Sequence, residues 1–463
     1  MLPPMFAQPR NASASATNAN KMKSTPPLGS TEFAQLMTCF GTFEIAPVVS
    51  VGVSGGADSL ALVILLDAWT RERGGRVIGL SVDHGLRAES GDEAIQTGKW
   101  LHAAGIEHHI LPWIGQKPTT AIQAQARLAR RELLLNWCRD AGILHLAMAH
   151  HGDDQAETYI MRLAKGSGTD GLAGMPMIKE FPQARIIRPL LTIEKNRLVA
   201  TLQAMKQDWI EDPSNMMERF ERVRVRNTLM SMNDAGASVQ NIASAMADYG
   251  QTRAELDVVC ASVLARCAQL HGAGFAHLNA TALCGEGDVL GIRALGRLLL
   301  VIGGREYGAE RDKLHRAYEA LKSSNIKRGI TLAGCRIIAN KDGYLICREN
   351  RNLPGEVVIN AGDAVYWDQR FRLKASVGGQ SCVLAPLGEN GWQGIAKQNP
   401  ELKSSKVPVV ARYSLPALHS NGVVTQVPHL DFDISKHYGS LLNLNEVAFS
   451  PREPVLGASF ATV

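Results

Sequence analysis

Six residues, Ser54-Gly55-Gly56-Ala57-Asp58-Ser59, combine what a phosphate-binding turn needs. The β-branched run that precedes them has the character of a buried strand, and the stretch from about Asp58 to Arg73 follows helical spacing. A strand that breaks at two glycines and restarts as a helix leaves unpaired backbone N–H groups at the positive end of the helix dipole, which is a seat for an anion. Gly55 and Gly56 allow positive φ and let a ligand approach with no Cβ in the way. Ser54 and Ser59 add hydroxyl donors, while Asp58 in the first turn can cap the helix or help hold a metal beside a polyphosphate.

A second polar cluster is His150-His151-Gly152-Asp153-Asp154-Gln155-Ala156-Glu157-Thr158. If a helix begins near Asp153, then His150, Asp154 and Glu157 fall four and three residues apart and project to one side. Paired carboxylates with a histidine suit a divalent cation beside phosphates or recognition of an ammonium group, although acids in a first helical turn also serve as caps. A literal G-x-G-x-x-G, Gly166 to Gly171, follows a helix rather than a strand, so it fails the context of a dinucleotide fingerprint and reads as a flexible loop.

The elements that must carry these residues alternate. A short helix over 31–42 leads to a strand over 45–53, a helix 58–73, a strand 77–82 ending in Asp83-His84-Gly85, a helix 89–104, a strand 107–111, a helix 121–138 and a strand 144–149. Alternation of this kind implies βαβ units and a parallel sheet covered on both faces, with ligands at the carboxyl ends of the strands. The polar motifs all follow strand ends. On the helix over 121–138, Ile122, Ala126, Ala129, Leu133 and Trp137 form the expected buried stripe, which leaves Arg127, Arg130 and Arg131 clustered elsewhere. Four more arginines fall in Arg219 to Arg226, including Arg222, Arg224 and Arg226. A basic run is usually a solvated face, but two of them on a nucleotide-binding domain suit phosphate contact.

At 463 residues, two or three domains are expected. The fold class is α/β: residues 1–30 as a disordered Ala/Ser/Asn/Pro-rich tail, 31–231 as a parallel-sheet nucleotide-binding domain, 232–327 as a helical region and 328–463 as a small β-rich module with a hairpin turning at Asp342-Gly343. The composition, 45% hydrophobic and 20% charged with a net charge of +5, fits a soluble protein and permits a polyanionic partner. No apolar run reaches about 18 residues, so no membrane helix is expected. The eight cysteines are scattered without a C-x-x-C pair, which argues for reduced thiols in the cytoplasm and against a cysteine-held metal or cluster.

Taken together, the motifs VSGGADS (53–59), VDHGLR (82–87), ARLARRE (126–132), AHHGDDQAET (149–158) and EDPSN (211–215) with the arginine run resemble the tRNA(Ile)-lysidine synthetase family of PP-loop ATP pyrophosphatases. The resemblance implies ATP and Mg²⁺ as cofactors, with L-lysine and a CAU-anticodon isoleucine tRNA as partners. It implies that ATP adenylates the C2 oxygen of the wobble cytidine, position 34, and that lysine then displaces AMP. On this reading Asp58, His150, Asp154 and Glu157 are catalytic. Ser54, Gly55, Gly56, Ala57, Asp58, Ser59 and His84 hold ATP, Asp58 and Asp154 hold Mg²⁺, and Arg127, Arg130, Arg222, Arg224 and Arg226 contact tRNA. No lysine of the Walker type follows the glycines, so the loop is expected to grip pyrophosphate as a leaving group. Two alternatives are a tRNA thiolase, disfavoured by the missing C-x-x-C, and a non-catalytic tRNA-binding module, disfavoured because a scaffold has no need of both polar motifs.

Overall fold

The computed structural model describes residues 25–86, 89–115, 117, 122–211, 239–305, 307–326, 328–434 and 441–455. In chain order the first half runs α1 (Ser30–Met37), β1 (Val48–Gly52), α2 (Ala57–Arg71), β2 (Arg76–Asp83), α3 (Ser90–Ala103), β3 (Glu107–Pro112), α4 (Ile122–Asp140), β4 (His145–Ala147), α5 (Gly152–Ala164), α6 (Thr169–Leu172), β5 (Ile178–Glu180), β6 (Arg185–Ile187) and α7 (Lys195–Ala204). The expected alternation of strand and helix is present. The chain divides into two units, one of Met1–Arg130, Met148–Asp153 and Pro189–Glu218, the other of Arg131–Ala147, Asp154–Arg188 and Arg219–Val463.

In the first unit β1 pairs in parallel with β2, and β2 with β3. Parallel neighbours are covered on both faces, so β1 is buried at consecutive positions rather than at alternate ones, Val49, Ser50, Val51 and Gly52 alike. Helix α2 contributes Leu60, Leu62, Val63 and Leu66 to the same core. Residues 25–29, which composition places in the tail, are fixed instead: Leu28 is buried and its amide donates to Thr201 Oγ1 at 2.8 Å. Arg197 on α7 donates to the Pro26 and Pro27 carbonyls and forms a two-pronged pair with Glu32 of α1, at 2.7 and 2.6 Å.

In the second unit β4 pairs in parallel with β6, and β5 lies antiparallel to β6. Helix α8 (Val239–Cys267) leads to a hairpin of β7 (Ala268–His271) and β8 (Phe275–Leu278). Helices α9 (Ala280–Gly285), α10 (Asp288–Gly303) and α11 (Arg311–Lys322) follow, then β9 (Ile330–Leu332), β10 (Cys335–Asn340) and β11 (Gly343–Arg348). These strands form one five-stranded sheet in the order β7-β8-β11-β10-β9, drawing strands from both sides of residue 327. Leu295, Leu298, Leu299, Ile302 and Tyr318 pack on Ile337 and Ile346 of that sheet. The β10–β11 turn is Lys341-Asp342, one residue earlier than expected, because Gly343 with φ +138 already pairs with Asn340 and lies too close to the Leu278 carbonyl to carry a Cβ. Beyond it, the chain forms a five-stranded and a three-stranded sheet, as the β-rich reading of this region anticipates.

Two further expectations change. Among the residues of α4 whose side chains are described, Leu134, Leu135 and Cys138 are fully buried while Ile122 is 43% exposed, so the expected stripe does not hold at Ile122. The Gly166–Gly171 stretch is not a loose loop. It leads into α6, where Arg162 donates to the Gly171 and Gly174 carbonyls and Arg293 of α10 pairs with Asp170.

The second unit also buries an ion triad. Asp368 bridges Arg348 and Arg370, which are 4% and 0% exposed, with Arg370 Nε at 2.7 Å. Arg370 also donates to the Gly274 and Ser414 carbonyls. Removing the single carboxylate strands two buried guanidinium groups. Asp368→Ala is therefore expected to lower unfolding free energy by about 3 kcal/mol or more, read as a reduced urea midpoint at unchanged slope; an unchanged midpoint would show that the carbonyls alone satisfy both arginines.

Candidate functional site

The turn between β1 and α2 shows how the glycines are used. Val53 still extends the ladder, its amide donating to the Leu80 carbonyl at 2.9 Å. Gly55 then takes φ +80 and Gly56, at φ −74 and ψ 160, is the residue before the first helical turn. The Gly55 carbonyl accepts the Ile210 amide at 2.9 Å. A Cβ on Gly55 would stand 2.6 Å from Thr97 Oγ1 and 2.7 Å from Ile210 Cδ1, whereas a Cβ on Gly56 would meet nothing nearer than 3.7 Å. Ser59 is buried and braces the turn from inside: its hydroxyl donates to the Gly56 carbonyl at 2.9 Å and accepts the Ser54 amide at 3.2 Å. Ser54 is exposed, so of the two serines it is the one placed to meet a ligand.

Behind this turn lies a polar relay that sequence patterning did not single out. Ser81 Oγ donates to the Val53 carbonyl at 2.9 Å and is itself 2.8 Å from His108 Nε2. Because the serine proton is already committed, the imidazole must be the donor to Ser81. Burial lowers the His108 pKa, and the neutral ring it favours makes this donation as the Nε2–H tautomer.

Asp58 sits in the first turn of α2, with Oδ2 3.6 Å from Nε2 of buried His151. The other face of that imidazole, Nδ1, is 3.5 Å from Asp153 Oδ2, which also accepts the Lys195 amide at 2.9 Å. Burial pushes the Asp153 carboxyl up, but the His151 contact and the Lys195 amide together outweigh it and hold the group below the usual carboxylate range. Asp58 Oδ1 is buried and has no hydrogen-bond partner. A lone buried carboxylate oxygen beside a turn of open amides fits one ligand of a Mg²⁺ whose remaining ligands are phosphate oxygens and water. Among the described residues no group of three His, Cys, Asp or Glu side chains could hold a metal unaided.

At the end of β2, Asp83 Oδ1 accepts the Ser90 hydroxyl at 2.6 Å and the Gly85 amide at 3.0 Å, which lower its pKa. This Asx-type turn presents His84, whose Nδ1 accepts the Leu86 amide at 3.1 Å, so its ring proton sits on Nε2.

The chain matches the PP-loop domain family over residues 30–233. Over 406 residues it is 30% identical to a tRNA(Ile)-lysidine synthase of Wolbachia sp. subsp. Brugia malayi, spanning 87% of this chain and 92% of that protein. It is 36% identical to the tRNA(Ile)-lysidine synthase of Hyphomonas neptunium over 73% of this chain and 93% of the relative. The corresponding figures for the Orientia tsutsugamushi enzyme are 33%, 74% and 78%. The chain belongs to the tRNA(Ile)-lysidine synthase family.

For a lysidine synthase the placement of the remaining expected residues matters. Asp154 and Glu157 lie one turn apart on α5, Glu157 only 3% exposed, while His150 comes just before that helix. Arg127 and Arg130 also lie one turn apart, on α4; Arg127 is exposed, and burial, together with the neighbouring Arg127 charge, lowers the Arg130 pKa. Arg222, Arg224 and Arg226, like Asp212 to Asn215, lie outside the described residues. The structure thus joins Asp58 to the Ser54–Ser59 turn and to His151 and Asp153, neither of which the sequence reading had chosen.

The two glycines are expected to fail differently on substitution. Gly55→Ala forces a Cβ into Thr97 and Ile210 at positive φ and should cost about 1–3 kcal/mol of stability. Gly56→Ala should leave the melting temperature unchanged while weakening ATP binding, because its Cβ enters only the ligand's space. Parent-like ATP affinity in Gly56→Ala would remove that face of the turn from the phosphate site.

Proposed function

We infer that the chain joins L-lysine to C2 of the wobble cytidine, position 34, of a CAU-anticodon isoleucine tRNA at the expense of ATP. The observation that carries this reading is the likeness to tRNA(Ile)-lysidine synthases over nearly their whole length, in a chain whose phosphate turn is built for a ligand. In the first step the cytidine O2 attacks the α-phosphorus of ATP; the O2–Pα bond forms, the Pα–O–Pβ bond breaks and pyrophosphate leaves. In the second the lysine Nε attacks C2, the C2–O2 bond breaks and AMP departs.

The residues divide naturally between these steps. The open amides after Gly55, with Ala57 at the helix start and the Ser54 hydroxyl, grip the pyrophosphate, while Ser59 fixes the shape of the turn. Preorganised donors of this kind stabilise charge as it develops on the leaving group. Asp58 and Asp154 would hold Mg²⁺, which when bound supplies further neutralisation of that charge. The free lysine amine has a pKa of about 10.4 and must be neutral to attack. Glu157, a buried carboxylate, with Asp154 orients the ammonium and can take its proton. His150 and His84 flank ATP or the adenylated cytidine. Arg127, Arg130, Arg222, Arg224 and Arg226 contact the tRNA backbone.

The order of product release tests this reading. With ATP, Mg²⁺ and the tRNA but no lysine, pyrophosphate should be released and AMP retained on the tRNA; adding lysine should liberate AMP. Asp58→Ala should abolish pyrophosphate release and leave tRNA binding nearly intact, and Glu157→Gln should block only the lysine-dependent release of AMP. Release of AMP on addition of a sulfur donor instead of lysine would contradict the ligase reading.

A further inference from the structure

We propose that His151 is a positioning residue for the ATP step, holding the Asp58 carboxylate in the direction that presents Oδ1 to the nucleotide. This rests on the reading that the Ser54–Ser59 turn takes ATP, and it assigns a role to a histidine that the catalytic residues named above leave out. The imidazole is buried, 5% exposed, between two carboxylates. Nε2 faces Asp58 Oδ2 at 3.6 Å and Nδ1 faces Asp153 Oδ2 at 3.5 Å. These separations are longer than close hydrogen bonds, so the ring acts by filling the space between the two carboxylates and limiting how the Asp58 side chain can turn.

What makes this a brace is that its far end is anchored to backbone. Asp153 Oδ2 accepts the Lys195 amide at 2.9 Å, and the Gly152 amide between the two side chains donates to the Ile193 carbonyl at 2.8 Å. A Cβ on Gly152 would lie 3.2 Å from the same carbonyl, so the His151–Asp153 segment is pressed against residues 191–195. The line of contact therefore runs from Lys195 through Asp153 and His151 to Asp58. At its near end Asp58 Oδ2 is engaged, while Oδ1 is buried without a partner. A carboxylate held by one oxygen with the other oxygen unsatisfied is preorganised for a ligand rather than for the fold.

The test is equilibrium binding of a fluorescent ATP analogue with Mg²⁺ to the full-length chain, without tRNA or lysine, alongside unliganded thermal unfolding. His151→Ala is expected to weaken binding about tenfold with little change in the unfolding midpoint. Asp153→Ala should act in the same direction, and the double variant should bind no more weakly than the worse single one, because the two residues act in series. His151→Asn, which keeps part of the side-chain volume and a polar group facing Asp58, should lose only about threefold. In the complete reaction the half-saturating lysine concentration should stay at the parent value.

Parent-like ATP binding in both His151→Ala and Asp153→Ala, or losses that multiply in the double variant, would overturn the proposal. So would a raised lysine requirement at unchanged ATP affinity, which would place His151 at the amine. Should His151→Ala not fold, His151→Asn decides alone, with intermediate loss supporting the brace and parent affinity overturning it. Failure of the parent chain to attach lysine to tRNA would count against the proposed function and leave this binding comparison standing.

Discussion

Everything at the candidate site depends on the positive φ of Gly55. That one conformation lets the chain leave β1 and enter α2 within four residues, so the helix N-terminus starts at the strand's carboxyl end. The conformation is enforced rather than merely allowed. Ile210 bonds to the Gly55 carbonyl and closes over it, Thr97 blocks any side chain there, and the Ser59 hydroxyl ties the turn together from within. Under the proposed function, a polyphosphate held through backbone donors gains from a backbone with no freedom left.

The half-buried carboxylates around the turn differ in how fully they are met by partners. Asp83 and Asp153 are satisfied by amides and side chains and have lowered pKa values. Asp58 is satisfied on one oxygen only. In the second unit the Asp368 triad shows the structural version, with both carboxylate oxygens engaged by arginines. The contrast is between a carboxylate with both oxygens engaged and one with an oxygen left without a hydrogen-bond partner.

Much of this was legible in the sequence because its signals are local. The glycine pair, the β-branched run before it and the helical spacing after it identify a strand, turn and helix within twenty residues, and the polar motifs at later strand ends follow the same logic. What was not legible depends on partners distant in the chain. Nothing local marks His108, because its partner Ser81 lies 27 positions away. The glycine-rich stretch after α5 looked loose because Arg293, which fixes Asp170, lies 123 positions away. The stripe expected on α4 does not hold at Ile122 because helical periodicity marks apolar residues without saying where along a helix they are covered. His151 was passed over beside His150 because adjacent identical residues are distinguished only by what each faces.

The most direct test is mass analysis of the anticodon loop after incubating the chain with ATP, Mg²⁺, lysine and CAU-anticodon isoleucine tRNA. The expected result is that cytidine 34 alone gains one lysine with loss of water, and only when ATP is present. An unmodified cytidine, or one carrying sulfur when a sulfur donor is supplied, would contradict it.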